Sequence, residues 1–437
     1  MATAAPLRVL RVYHAGRDPA HRARERALVA AGAEVTLVVP ASWPEEGESI
    51  LSPEQFRIVE LDTARTGDVN RHRYRDPRAL AEIVASARPD VVDLHEEPFS
   101  AAVRQWLRAV PAKLPVVTYA AQNVDKRLPP PFHWYERAAH RRVAAIYPCS
   151  RQAASVARGK GFAGEIAVLP LGYDEALFRA GTQSLADPEL VFAFVGRLVP
   201  EKGLLDAVRV FARVDARRPA RLVVAGTGPA EAAARSLAGS LGVSDRLDLL
   251  GRRDRSELAA VFRAAHVVLV PSTPTETWTE QFGRVIVEAQ ASGAVVAGYD
   301  SGSIAEVGGE AALLAPPGDV ETLVRRVADL VADEAGYQRR RRGGLELAAG
   351  RTWARVAEQQ LALYRAVASE PAPRRDLPPS PRRRREVARG EFGPTAATVA
   401  GSRPFALPFL RRGGPVPRLL AAGIDAVAEA SVRLRRS

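Results

Sequence analysis

The sequence predicts an α/β protein built as two doubly wound parallel-sheet domains that face each other across a cleft. Short β-rich apolar runs alternate with amphipathic helical stretches over roughly the first 180 residues. The same alternation restarts beyond Gly181–Pro188, a polar stretch. With 437 residues, 47% of them hydrophobic, the chain can bury two separate cores. Strands separated by helices run parallel, and a parallel sheet needs helices on both faces.

In the first half the expected strands are Leu7–Tyr13, Glu34–Val39, Val91–Leu94, Pro115–Tyr119, Val143–Pro148 and Ile166–Pro170. Arg22–Ala31 reads as the helix between the first two, closed by Gly32. In the second half the expected strands are Leu190–Val195, Arg221–Ala225, Arg246–Leu250, Val267–Val270 and Ala294–Gly298. Helical periods over Gly203–Arg213, Ala230–Leu241 and Ser256–Ala265 separate them, and Thr352–Ala366 is a last amphipathic helix. The expected division is an N-terminal domain at 1–182, a second domain at 183–350, a last helical segment at 351–368 and a basic tail at 369–437.

Charge is uneven. Of the chain's net +12, the segment from Ser369 to Ser437 carries 14 arginines against 6 acidic residues, which is +8. The remainder, about +4, is no nucleic-acid signature, and the core lacks aromatic-interleaved basic strands. Ala372–Gly393, with four arginines at Arg382–Arg385, reads as disordered, and Pro417–Arg435 as a short amphipathic helix. An anionic membrane surface is the partner such a tail suits. Two further arginine groups, Arg65 to Arg78 around Tyr74 and Arg137 to Arg142, read equally as an anion-binding surface or as a solvated one. The single cysteine, Cys149, excludes an intramolecular disulfide framework and suits a reducing compartment. No basic start with an apolar run opens the chain, and no stretch nears about 18 uncharged apolar residues. The expected location is therefore the cytoplasm, with peripheral contact at the inner face of the membrane.

Four segments carry chemistry. In TETWTEQFGRVIVEAQASG (Thr275–Gly293), Glu280 and Glu288 flank Phe282–Gly283 and the start of an apolar helix. A helix N-terminus presents free N–H groups and a positive dipole end, so it suits a diphosphate. Carboxylates accept from two hydroxyls of a diol, which suits Glu280 to a sugar and Glu288 to a ribose. In VGRLVPEKG (Val195–Gly203), Gly196, Arg197 and Lys202 follow a strand, placing two cations at the ligand edge of a sheet. GTGP (Gly226–Pro229), with Gly228, and DSGSIAE (Asp300–Glu306) follow further strands. Alone, each segment also reads as an ordinary loop or charged surface.

Together and in this order the segments resemble glycosyltransferase family 4. The likeness is strongest over GRLVPEKG, EQFGRVIVEAQASG and DSGSIAEV and looser over about residues 7–366. The resemblance implies two Rossmann-like domains (the GT-B fold), a retaining transfer from a UDP- or GDP-sugar to a saccharide or lipid-linked acceptor in envelope or exopolysaccharide synthesis, and no obligatory metal or cofactor. It implies that Glu280 binds sugar hydroxyls and Glu288 the ribose. The backbone of Phe282 and Gly283 then lies at the sugar and phosphate, and Arg197 and Lys202 meet the diphosphate. The chain departs from the pattern twice. The usual Gly-Gly loop after the first strand is HAGRDPAHR, with only Gly16, and Ala120–Ala121–Gln122–Asn123 stands where many members place a histidine. His14, His95, Gln122 and Asn123 are the remaining acceptor or cleft candidates. A glycoside hydrolase, a nucleotide-sugar epimerase and a binding protein without turnover are the alternative readings.

Overall fold

A computed structural model describes residues 5–44, 54–214 and 219–369. The chain opens β1 (Leu7–Val12), α1 (Ala23–Ala30), β2 (Ala33–Pro40), β3 (Arg57–Leu61), a small hairpin of β4 (Thr63–Ala64) and β5 (Arg73–Tyr74), and α2 (Pro77–Ala87). It continues β6 (Val91–Leu94), α3 (Ala101–Ala109), β7 (Val116–Ala120), α4 (Phe132–Arg142), β8 (Ala145–Pro148), α5 (Arg151–Gly159) and β9 (Glu165–Ile166). The second unit runs β10 (Leu190–Val195), α6 (Leu204–Arg213), β11 (Ala220–Ala225), α7 (Glu231–Ser240), β12 (Leu247–Gly251), α8 (Arg255–Ala264) and β13 (Val267–Val270). After these come α9 (Arg284–Ala291), β14 (Val295–Tyr299), α10 (Ile304–Gly308), β15 (Leu313–Ala315), α11 (Val320–Ala332), α12 (Glu334–Ala349) and α13 (Trp353–Ser369).

The sheets have orders β3-β2-β1-β6-β7-β8-β9 and β12-β11-β10-β13-β14-β15, and the strand pairs in both are parallel. Each sheet reverses direction of growth once, between β1 and β6 and between β10 and β13. Open α/β sheets bind ligands beyond the carboxyl ends of the strands at such a switch point. The two-domain α/β expectation is therefore met, and the topology states where each site belongs.

Each sheet is buried on both faces. Leu10, Val12, Val92 and Leu94 pack with Trp106 on one side of the first sheet, while Val9, Val35 and Val117 pack with Leu361 and Tyr364 of α13 on the other. Leu190, Phe192, Leu222 and Val224 centre the second core. Burying side chains of this size contributes about 1.5–3 kcal/mol each relative to exposure. The last helix, α13, thus crosses back onto the first sheet.

Some expectations are corrected. Ile166–Pro170 contains only the end of the two-residue strand β9, because Leu169 bonds back through its N–H to the Pro148 carbonyl, beyond the ladder. The sequence pattern places no strand at β3, β4, β5 or β15 and no helix at α2, α3, α4, α5, α11 or α12. Ser369, placed at the start of the tail, is the last residue of α13. The RRRR run and the 417–435 helix lie outside the described residues. Among the described residues, no helix is long and apolar enough to cross a membrane.

Candidate active site

The second switch point brings two of the four segments into contact. Gly196–Lys202 follows β10, and Pro271–Glu280 follows β13. Lys202 Nζ donates to Glu280 Oε2 at 2.6 Å, and Ser272 Oγ donates to the same oxygen at 3.3 Å. Lys202 Nζ also lies 5.1 Å from the Trp278 ring centroid, a cation–π contact. Glu280 is 7% exposed, so this carboxylate is largely desolvated and its ammonium partner matters more than at a surface. Its other oxygen, Oε1, makes no hydrogen bond among the described residues.

Backbone bonds hold Glu280 in place. Its carbonyl accepts from Ser303 N–H at 3.0 Å and from Asn123 Nδ2 at 2.7 Å. The first bond assigns the DSGS segment a role as the brace of Glu280. The second ties the first domain to the second. Gly302 (φ +59°) is required here, because a Cβ would stand 2.3 Å from the Glu280 carbonyl oxygen.

The helix start follows at once. Gly283 has φ +79° and ψ +63° and receives no side-chain cap, so α9 opens with backbone donors that no side chain satisfies. Phe282 is 3% exposed and anchors the turn in the core. Glu288, one helical turn beyond Arg284, accepts from Arg284 at 3.2 Å and lies 3.6 Å from Arg255. Arg197 is exposed on its loop and makes no hydrogen bond or ion pair among the described residues. The loop under it is zipped to GTGP: Gly196 N–H donates to Ala225 O, Leu198 N–H to Thr227 O and Ala230 N–H to Leu198 O. Gly228 packs with its Cα so near Leu198 that a Cβ would lie 2.5 Å from the Leu198 carbonyl oxygen.

The first domain's residues behave differently. Gly16 spends its N–H on Tyr13 O at 3.2 Å and its carbonyl on Arg22 Nε at 2.6 Å, so it offers a phosphate no free backbone group. His14 Nδ1 sits 2.8 Å from the buried Glu96 carboxylate, which also accepts the His14 N–H. Gln122 Oε1 accepts from Lys160 Nζ at 2.5 Å, and Lys160 also pairs with Glu136 at 2.7 Å. Asn123 joins the second domain through the Glu280 carbonyl, as above. Cys149 is buried, its thiol pushed up to about 11 by that burial, and packs in the core rather than acting as a nucleophile.

His95 stands beyond β6, at the first domain's switch point. Its Nδ1 is 2.8 Å from Tyr147 Oη, and Tyr147 donates to Asp93 Oδ1 at 2.5 Å. Asp93 also accepts from Arg11, Gln360 and Tyr364, all fully buried. Burial, and then the charges of Arg11 and Arg24, hold the imidazole pKa well below its ordinary value, so the ring is neutral.

The sequence reading missed Arg255, Arg284, Ser272 and Trp278. Arg284 was legible, since it precedes Glu288 by one helical turn. Arg255 carries no local signal, because α8 brings it to Glu288 only through the tertiary fold.

Residues 181–344 match the model described as glycosyl transferases group 1, and residues 25–177 match glycosyltransferase family 4. The chain belongs to glycosyltransferase family 4. Its sequence is 36% identical over 219 residues to D-inositol 3-phosphate glycosyltransferase of Corynebacterium diphtheriae, covering 46% of this chain and 50% of that one. It is 36% identical over 166 residues to 2-deoxystreptamine glucosyltransferase of Streptomyces kanamyceticus, covering 37% of this chain and 40% of that one. The family 4 chain thus spans about half the length of the curated relatives it matches. In fold it is similar to sucrose-phosphate synthase of Thermosynechococcus elongatus (TM-score 0.64, 20% identity, covering 82% of this chain and 98% of that one). It is likewise similar to Anabaena Alr3699/HepE solved with UDP and glucose (TM-score 0.60, 16% identity, covering 82% and 100%). These neighbours are GT-B glycosyltransferases, so the two sheets form the GT-B fold.

Proposed function

We propose that this chain transfers a sugar, with retention of anomeric configuration, from a nucleoside diphosphate donor to a hydroxyl of a polyhydroxylated ring. The observation that carries the reading is the Lys202–Glu280 pair set beside the uncapped start of α9. A buried carboxylate with one oxygen available suits sugar hydroxyls, and a cation with backbone donors suits a diphosphate. Glu288 suits the ribose diol, and exposed Arg197 the outer phosphate.

In the reaction the bond from the anomeric carbon to the diphosphate oxygen breaks. The acceptor oxygen bonds to that carbon on the same face, and the acceptor proton passes to the leaving phosphate. This route needs charge stabilisation more than a protein base, which fits a chain with no histidine at 120–123. Lys202 and the α9 N–H groups supply it without reorganising. Relatives named for inositol phosphate and 2-deoxystreptamine, both cyclitols, favour a saccharide or cyclitol ring as acceptor over a lipid-linked one.

The test is thermal stabilisation of wild type and Glu288→Ala by UDP, GDP, ADP and CDP. A nucleotide at 100 times its dissociation constant adds about 2.7 kcal/mol. One base stabilising the wild type and not the variant is expected. No shift with any of the four overturns the donor site.

A further inference from the structure

The first domain has its own switch point, between β1 and β6, and its occupant is His95. We propose that His95 Nε2 is the hydrogen-bond acceptor that orients the attacking hydroxyl of the acceptor ring. This rests on the transfer reading above and adds to it a residue on the other domain.

The proton positions follow from the neighbours. Asp93 accepts only, and its Oδ1 lies 2.5 Å from Tyr147 Oη, so the phenol proton points to Asp93. Burial, followed by the charge of Asp93, pushes the Tyr147 pKa well up and keeps the phenol protonated. Tyr147 has one proton and has given it away. Its oxygen can therefore only accept from His95, at 2.8 Å. His95 Nδ1 carries the ring proton, and Nε2 carries a lone pair. Nε2 makes no hydrogen bond among the described residues.

The ring is also held still. Tyr119 stacks on it at 4.3 Å between centroids, and Tyr13 flanks it at 4.4 Å and 84°. The relay behind it is anchored from the crossover helix. Tyr364 donates to Asp93, Gln360 Nε2 donates to Asp93 at 3.1 Å, and Arg24 donates to Gln360 Oε1 at 2.8 Å. A group fixed by packing and by supporting hydrogen bonds is what an orienting residue requires.

A cavity of about 60 Å³ opens on His95 and is walled by both domains, with Tyr13 and Arg24 from the first and Arg255 and Arg284 from the second. A single water needs about 10–15 Å³ of such space, so a hydroxyl and its carbon fit. Arg284 belongs to the first turn of α9 and bonds Glu288, so the cavity adjoins the donor residues. The acceptor's reacting edge would enter here while the rest of its ring stays outside. The low basicity of the imidazole suits it to orient the hydroxyl and leave the proton to the diphosphate.

The experiment uses the full chain, UDP- and GDP-glucose as donors, and D-inositol 3-phosphate, 2-deoxystreptamine and methyl glucoside as acceptors. His95→Phe should lower kcat/KM for the acceptor about 100-fold, while nucleotide stabilisation and the donor KM stay within twofold. His95→Gln, which keeps an acceptor atom near Nε2, should recover at least tenfold of that loss. Tyr147→Phe should cost an intermediate amount by freeing the tautomer. A long-range ¹H–¹⁵N spectrum of histidine-labelled wild type should show the Nδ1–H form for His95. A folded His95→Phe that transfers within threefold of wild type overturns the proposal alone, as does an Nε2–H tautomer. A wild type that neither binds any nucleotide nor transfers overturns the donor reading, and this proposal with it.

Discussion

Lys202 Nζ and Glu280 Oε2 lie 2.6 Å apart although 78 residues separate them in the chain. The sheet switch between β10 and β13 makes them neighbours. Each group is nearly useless alone: an unpaired buried carboxylate is costly to desolvate, and an isolated lysine on a loop is solvated. Together they form a preorganised charged lip at the mouth of α9.

Removing either partner should therefore hit turnover harder than folding. Lys202→Ala should lower kcat by about 10²–10³-fold, the range seen when one preorganised donor to a developing charge is lost. Glu280→Gln keeps shape and removes charge, so it should raise the donor KM and lower kcat together. Steady-state kinetics with the donor varied would separate the two. Equal, small losses in both variants would mean the pair is structural.

Gly302→Ala should damage the same residue from behind. Its Cβ would collide with the Glu280 carbonyl oxygen at 2.3 Å in a backbone conformation that alanine avoids. The expected destabilisation is about 1–3 kcal/mol, with donor binding lost beyond what the melting shift explains. Calorimetry with and without nucleotide measures both.

Tyr364→Phe should loosen the crossover helix. The phenol is fully buried, donates to Asp93 and accepts from Gln360 at 2.7 Å and Arg11 at 3.1 Å. Leaving these partners unsatisfied costs about 1–3 kcal/mol. The melting temperature should fall by several degrees, and proteolysis in α13 should quicken. An unchanged melting point would show that Arg11 and Gln360 already satisfy Asp93.

Glu97 predicts a pH signature. Burial pushes its carboxyl up to about 7, and Oε2 has no partner among the described residues. The folded state therefore holds a proton that the unfolded state releases near 4.5, so stability falls as pH rises from about 4.5 to about 7. His140, lowered to about 3 by burial, works in the opposite sense over part of that range. The difference between wild type and Glu97→Gln isolates the Glu97 contribution. The two should melt together at pH 5, and the variant should melt higher at pH 8. Parallel curves from pH 5 to 8 would contradict the buried assignment.

Much of this architecture is written locally. Val91–Leu94, Leu190–Val195 and Val267–Val270 are runs of β-branched and apolar residues whose observed ends match the pattern residue for residue. RIVEL at β3 was not, because this edge strand is only half-buried and alternates weakly. LLA at β15 is three residues long and indistinguishable from a helix fragment. The arrangement from Glu280 to Glu288 was legible because loop, glycine and helix are contiguous there. The relay behind His95 was not. Asp93, Tyr147 and Tyr364 are separated by 54 and 271 residues from one another's partners, and each reads alone as a polar residue in an apolar element.

The central claim, sugar transfer from a nucleotide donor held by Glu280, Lys202 and Glu288, is tested most directly by product analysis. Wild type and Glu280→Gln would be incubated with UDP-glucose or GDP-glucose and a cyclitol or saccharide acceptor, and the anomeric proton coupling of the product read by NMR. The account predicts a glycoside with the donor's α configuration from the wild type and at least about 100-fold less from the variant. A β product, or free glucose and no glycoside, would contradict it.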